Sequence, residues 1–361
     1  MIQSKKIIAQ IQRPAPDVAA RASHYRFDRN ERTTFFTDEE FNSMISQLNP
    51  FDFVAYGELE PFYNKITKWL QVNRNQILLT SGSDMGIRSV FETFVNVGDK
   101  VLITQPNYAM FSIYNKMYGG VELAQWYNED LCLDVKALNE SLTRDVKLVV
   151  ISNPGHTGKS ITPEILLEIT EKAEKNDTLV LIDEAYFHFY NESMVKYINR
   201  FKNLIISRTF SKAFGLASLR IGLLVSNSDL INELYRVKLV HEITGVAAKI
   251  GSFMLDNLHI VDNYVNEVNK GKEVLHSRLS KLNMQTFESD SNLFFFHLPK
   301  GTDAHSVMAY LEKNNIYVKG PFTQHPFNGQ IRLTVGDKAQ MEMFCDQLEN
   351  YLSSNKNLSK N

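Results

Sequence analysis

The sequence predicts an α/β fold: a large domain with a mostly parallel central sheet, followed by a smaller α+β domain. Three observations point there. Short apolar runs alternate with helical patterns between residues 76 and 226. Runs such as Leu148-Val149-Val150-Ile151 and Leu179-Val180-Leu181-Ile182 are continuous, as expected of strands covered on both faces. Beyond about residue 281 short strands and helices mix, and 361 residues suit about two domains at roughly 150 residues each.

Taken in order, the first 40 residues are irregular, with Pro14, Pro16 and a polar stretch from 27 to 40. They predict an N-terminal arm, 1–40, packing against the small domain or a partner. A large domain is expected over 41–240. In it, residues 76–80 read as a strand ending in Ser81-Gly82-Ser83-Asp84, and 85–94 as a helix. Residues 100–104 form the next strand, closed by Gln105-Pro106, and 147–151 another, closed by Ser152-Asn153-Pro154-Gly155. Thr162 is placed to cap a helix that Pro163 opens, with Ile165, Leu166, Ile169 and Ala173 as its apolar stripe. Glu168–Lys172 and Glu171–Lys175 are i,i+4 pairs on its polar side. Strands follow at 178–182, ending at Asp183, then at 203–207 and 221–225. One long helical stretch is predicted over 229–281, and a small domain over 241–361. That domain takes strands at 293–297, 316–318 and 331–335, helices at 306–313 and 338–352, and a frayed polar tail from 353.

Composition narrows the function classes. Hydrophobic residues are 43% and charged residues 22%, ordinary globular values that exclude a disordered chain. Lys+Arg 39 against Asp+Glu 41 leaves −2, with no global attraction to nucleic acid or an anionic membrane. No apolar run approaches the roughly 20 residues of a membrane span. Near the start only Ile7-Ile8-Ala9 are apolar in a row, too few for a secretory signal. Two cysteines, Cys132 and Cys345, cannot build a disulfide framework. A cytoplasmic protein is expected, without internal repeats.

Ligands of open α/β sheets bind outside the carboxyl ends of the strands, so polar residues there carry the chemistry. Asp183 directly follows a strand. Lys212 lies in a loop among small and apolar neighbours, unlike a surface lysine. Arg220 precedes the strand at 221–225. Singly these read as a helix-cap acid, a solvated lysine and a surface ion-pair partner. Together they form a pattern.

That pattern resembles the fold-type-I pyridoxal-phosphate enzymes, and within them the histidinol-phosphate aminotransferase group. Residues 208–222, RTFSKAFGLASLRIG, follow that group's R-T-L-S-K-A-F-G-L-A-G-L-R-x-G. Asp183-Glu184-Ala185-Tyr186 follows D-E-A-Y, and Ile331-Arg332-Leu333-Thr334-Val335-Gly336 a late L-R-I-T-V-G. Ser81-Gly82-Ser83-Asp84 and Pro106-Asn107-Tyr108-Ala109-Met110-Phe111 match two early elements. The likeness covers about residues 25 to 350.

The resemblance implies a pyridoxal 5'-phosphate enzyme with these roles. Lys212 would carry the cofactor aldehyde and later shuttle protons. Asp183 would pair with the pyridine nitrogen, Tyr186 would bond the ring's phenolic oxygen, and Tyr108 would stack on the ring. Arg220, Thr209, Ser211 and the amides of Gly82, Ser83 and Asp84 would hold the phosphate, the last three at a helix start. Arg332 would take a substrate carboxylate. Tyr56 lies where the group has a tyrosine reaching into the partner's site, implying a homodimer with composite sites.

The chain departs from the group at three places. Asn153-Pro154-Gly155-His156-Thr157-Gly158 is one residue shorter than N-P-N-N-P-T-G, so the ring-contacting asparagine becomes either Asn153 or His156. His156 is favoured, because Thr157-Gly158 anchors the downstream side, and an imidazole there would titrate near neutrality. Arg32 in Asn30-Glu31-Arg32-Thr33-Thr34 replaces an asparagine of N-E-N-P-Y, and Lys319 replaces a second arginine. Arg32, Lys319 and Tyr56 could form a subsite for a substrate phosphate. The expected function is an aminotransferase moving an amino group between an amino acid and a small, phosphorylated amine or carbonyl compound. A decarboxylase of a phosphorylated amino acid is the alternative. Intact Lys212, Asp183 and Arg220 speak against a non-enzymatic regulator.

Overall fold

A computed structural model describes residues 2–11, 21 and 23–358. Pro14 and Pro16 lie outside the described residues, as does the end of the tail at 359–361. In chain order the strands are β1 (Tyr25–Arg26), β2 (Ile77–Ser81), β3 (Lys100–Gln105), β4 (Val121–Trp126), β5 (Val146–Ser152) and β6 (Leu179–Asp183). They continue with β7 (Leu204–Thr209), β8 (Ile221–Ser226), β9 (Leu293–His297), β10 (Ile316–Tyr317) and β11 (Gln330–Thr334).

Among the described residues seven strands form one sheet, ordered β2-β8-β7-β6-β5-β3-β4. From β4 across to β7 all neighbours are parallel. Alternate residues of one strand feed opposite cores: Val149 and Ile151 on one face, Leu148 and Val150 on the other. Burial on both faces explains the unbroken apolar runs. β3 leads outward to β4 whereas β5 leads the other way to β6, so the order reverses between β3 and β5. The turns after β3 and β5, carrying Tyr108 and His156, flank that switch point, where this architecture forms its crevice.

β8 departs from the parallel expectation. It runs antiparallel to both β7 and β2. Between β7 and β8 the chain makes only a tight loop and a 3-10 turn, Ala217–Leu219, too short for the crossover that a parallel return needs.

A second core packs beneath β9 and β11, which pair antiparallel, and the helices His259–Lys281, Ala304–Lys313 and Lys338–Leu358. The expected arm contributes to it. Phe27 is fully buried there, and β1 pairs in parallel with β10. The polar stretch also ends in a helix, not the expected irregular arm: Thr37 and Glu40 form a reciprocal capping box opening Asp38–Ile45.

The long stretch expected over 229–281 is three helices, Ser228–Tyr235, Gly245–Asp256 and His259–Lys281. Thr244 starts the second by accepting from the Ala247 N–H. Ala247, Ile250, Met254 and Val261 belong to the first core, which thus reaches past residue 240. At the C-terminus the helix continues to Leu358 instead of fraying at 353. Thr162 stands at the cap position, but its side chain makes no bond to the helix backbone. No helix of the described residues is long and apolar enough to cross a membrane.

Candidate active site

The turn after β7 presents Lys212. It is held at both ends by Phe210 N–H to the Ile221 carbonyl (3.0 Å) and Leu216 N–H to the Phe210 carbonyl (2.9 Å). Gly215, at φ +76°, accepts the left-handed backbone that closes it. Lys212 is half-buried, its Nζ donating to the Arg29 carbonyl at 3.5 Å and lying 5.9 Å from the Tyr186 ring centre. Burial, then the neighbouring Arg332 guanidinium, push its ammonium down to about 8, with Glu31 and Asp183 pulling the other way. It is therefore poised to lose its proton near neutrality.

β6 delivers Asp183 to the same place. The carboxyl is buried, and its Oδ1 has no hydrogen-bond partner in the protein. Burial raises it to about 7, against the pull of the Ser207 hydroxyl and Lys212. Three residues on, the buried Tyr186 hydroxyl accepts from Asn30 Nδ2 at 2.9 Å. The His156 ring stands edge-on to Tyr186 with centroids 6.4 Å apart.

The two candidates for the ring contact separate here. Asn153 is consumed by backbone: Nδ2 donates to the Ile161 carbonyl (3.0 Å) and Oδ1 accepts the Ile161 N–H (2.7 Å). His156 makes no such bonds and sits within the influence of Arg332 and Lys212. The expectation that it titrates near neutrality does not hold. Burial and those two cations push it down to about 3, so it stays a neutral imidazole.

Tyr108 follows β3 and donates to Asp84 Oδ1 at 3.0 Å, its hydroxyl pushed well up by burial and that carboxylate. Asp84 lies in the first turn of the helix Gly82–Phe94, whose early N–H groups have no acceptor within the helix. Gly82 differs from the expectation. Its N–H already donates to the Arg220 carbonyl at 2.7 Å, so it offers space rather than a donor. A Cβ there would lie 2.5 Å from Arg220 Nη2. Arg220 itself has φ +52° and donates from Nη1 to the Ala217 carbonyl at 3.3 Å. Beside it Thr209 and Ser211, both buried, share a 3.0 Å hydroxyl contact. A cavity of about 620 Å³ opens over Arg220, lined also by Tyr56, Ser81, Ser218 and His241. Tyr56 is 77% exposed and stacks flat on His241 at 3.8 Å.

Arg332, from β11, is buried and lies near Lys212, His156 and Tyr186. Its Nη2 donates to the Asp28 carbonyl at 3.0 Å, and its Nε has no partner. Lys319 is bridged to it through the backbone, yet its side chain is exposed. Arg32 stands in another setting. Its guanidinium lies between the rings of Phe36 (4.4 Å) and Tyr264 (4.6 Å), and its stem packs on Gly215 behind the Lys212 turn. The structure therefore gathers Lys212, Asp183, Tyr186, His156 and Arg332, with Arg220, Thr209 and Ser211 beside them, but gives Arg32 and Lys319 no common pocket.

Two features fit the cofactor implied by the resemblance: the orphaned carboxylate oxygen of Asp183, and the Cβ-free space beneath Arg220 at a helix start. Among the described residues no group of His, Cys, Asp or Glu is placed to hold a metal. Three contributors carried no expected role. Asn30 matched a motif letter only. Glu184 and Arg208 form a buried ion pair at 2.7 Å that ties the Asp183 turn to β7. A pairing of residues 24 apart leaves no periodic signal.

A family model described as aminotransferase class I and II matches residues 41–348. The chain is 32% identical over 334 residues to histidinol-phosphate aminotransferase of Caldanaerobacter subterraneus subsp. tengcongensis, covering 91% of this chain and 93% of that one. Among solved structures, histidinol-phosphate aminotransferase from Sinorhizobium meliloti in complex with pyridoxal-5'-phosphate has a TM-score of 0.87 at 19% identity, covering 98% of each chain. L-threonine-O-3-phosphate decarboxylase from Porphyromonas gingivalis has a TM-score of 0.74 at 22% identity, covering 91% of this chain and 99% of that one. These two likenesses concern the fold.

Proposed function

The chain belongs to the class I and II aminotransferases, and from that premise we infer that it moves an amino group between an amino acid and a small phosphorylated compound, with histidinol phosphate as the first candidate. The observation that carries this reading is the convergence of Lys212, Asp183, Tyr186 and Arg332 at the carboxyl edge of the sheet. The cofactor is pyridoxal 5'-phosphate. When bound it supplies an aldehyde to take up the amino group and a ring to store the electron pair released at the substrate carbon.

The protein groups have distinct tasks. Lys212, lowered toward neutrality, is an amine that would hold the aldehyde carbon and, when free, would take and return a proton. Asp183 would set its unpartnered oxygen against the ring nitrogen and keep a proton there. Tyr186 and the neutral His156 would donate to the ring oxygen, and Tyr108 would stack on the ring. The Ser83 and Asp84 amides, Thr209, Ser211 and Arg220 hold the cofactor phosphate. Arg332 turns its fork to the substrate carboxylate. Lys319 supplies positive charge toward the substrate phosphate, and Tyr56 reaches the site of a second copy in a homodimer, whereas Arg32, clasped by Phe36 and Tyr264, backs the Lys212 turn. Exposed Phe51, Phe53, Val54 and Val240 around Tyr56 accord with such a contact. A cytoplasmic setting accords with two free cysteines, Cys132 and Cys345.

The test is the ratio of kcat/KM for histidinol phosphate to that for histidinol. Charge-assisted bonds of about 1.5–3 kcal/mol each make a preference on the order of a hundredfold. Lys319→Ala should shrink it, leaving the amino-acid partner unaffected. Equal constants would overturn the phosphate subsite. Carbon dioxide release from a phosphorylated amino acid would favour the decarboxylase alternative.

A further inference from the structure

Three consecutive residues of the N-terminal segment touch three groups of the site. The Asp28 carbonyl accepts from Arg332, the Arg29 carbonyl from Lys212, and the Asn30 side chain donates to Tyr186. The first two acceptors are backbone, which any residue supplies. The third depends on the side chain.

Asn30 is held from every side. It is 5% exposed and has φ +60°, a conformation that asparagine tolerates better than most residues. Its N–H donates to Thr334 Oγ1 at 2.9 Å, and its carbonyl accepts from Asn292 Nδ2 at 3.4 Å. Thr334 Oγ1, already an acceptor for that N–H, stands 3.5 Å from Asn30 Oδ1 and turns its own proton there. This orients the amide, with oxygen toward Thr334 and nitrogen toward Tyr186. An amide nitrogen only donates, so the phenol oxygen must accept. The phenol proton is left to point elsewhere, and among the described residues it has no acceptor.

We propose that Asn30 is a positioning residue, which turns the Tyr186 hydroxyl proton onto the cofactor's ring oxygen and strengthens it as a donor. The inference rests on the reading that Tyr186 faces that oxygen. A donor on the phenol oxygen polarises its O–H bond, and chained hydrogen bonds reinforce each other in a dry site. The same contact opposes burial, which raises the Tyr186 hydroxyl to about 12. A residue that merely pinned the segment to β11 would need only its backbone bonds and Oδ1.

Asn30→Asp separates the two roles. It keeps the shape, the backbone bonds and an acceptor for Thr334, but offers Tyr186 an acceptor instead of a donor. The phenol proton then turns away from the cofactor. The measurement is a pH titration of the bound cofactor's visible absorbance in the holoenzyme. Tyr186→Phe should raise the midpoint by about one pH unit, since a donor to a charged oxygen is lost. Asn30→Asp should raise it comparably, and the double variant no further than Tyr186→Phe alone. Wild-type titration in Asn30→Asp, or additive shifts in the double variant, would overturn the proposal. An unmoved midpoint in Tyr186→Phe would instead overturn the assignment of Tyr186, and this inference with it. Should Asn30→Asp not fold, Asn30→Ala carries the same test with a smaller expected rise.

Discussion

Asp183 and Lys212 are shifted toward each other by the same burial. A carboxyl raised from 3.8 to about 7 and an ammonium lowered from 10.5 to about 8 both sit near neutrality before any cofactor is present. The signs have consequences for the cofactor-free protein. Between about pH 4 and 7 the folded state holds a proton on Asp183 that the unfolded chain has lost, so stability falls as pH rises through that window. Asp183→Asn should flatten this part of a plot of Tm against pH, and an unchanged slope would assign the effect to other groups. In the holoenzyme the same variant should keep the cofactor but lose activity by roughly a hundredfold or more, because an amide cannot hold the ring-nitrogen proton electrostatically. Near-normal turnover would remove Asp183 from that role. These residues were legible because they lie in contiguous motifs. Asn30 was not settled by sequence, since its partners lie far along the chain, and the preference for His156 over Asn153 needed the backbone bonds that tie Asn153 to Ile161. Gly82 was found, with its task misread: only the fold reveals that its N–H is already taken.

Between the residue and the molecule, the turns that carry the chemistry are pinned to one another. Arg208 Nε meets Glu184 Oε2 at 2.7 Å, Arg208 Nη2 donates to Ser193 at 2.8 Å, and the Met194 N–H donates to Glu184 Oε1 at 2.8 Å. The guanidinium also lies 3.6 Å over the Phe187 ring. The bond network thus braces the Asp183–Tyr186 turn against the strand that leads to Lys212. Breaking a buried pair on one side leaves an uncompensated charge, so Arg208→Met should cost about 3–5 kcal/mol in denaturant unfolding. Adding Glu184→Leu should restore much of that loss. Additive losses would show that the pair is not coupled. Strand positions were read well, because continuous apolar runs leave a strong signal. The direction of β8 was not, since that depends on the length of the loop before it. The helix breaks near 236–244 and 257–258 were masked by residues of helical type on either side.

At the scale of the whole molecule, two cores meet around the site. β6 and β7 bring Asp183 and Lys212 from the first, while β11 and the segment 27–30 bring Arg332 and Asn30 from the second. The sequence suggested this division, but not that the expected arm would give Phe27 to the second core. An exposed apolar surface beside Tyr56 remains, and it leads to a dimer prediction. Val54→Glu with Val240→Glu should shift sedimentation from dimer to monomer and lower turnover, because the site then lacks its Tyr56 contribution. A fully active monomer would contradict the composite site. Lys212 stands at the centre of the account, and one measurement reaches it most directly. Borohydride reduction of the holoenzyme, followed by peptide mapping, should find the cofactor fixed to the peptide containing Lys212, with Lys212→Ala folded, unlabelled and without turnover. A label on any other lysine, or turnover surviving in Lys212→Ala, would contradict it.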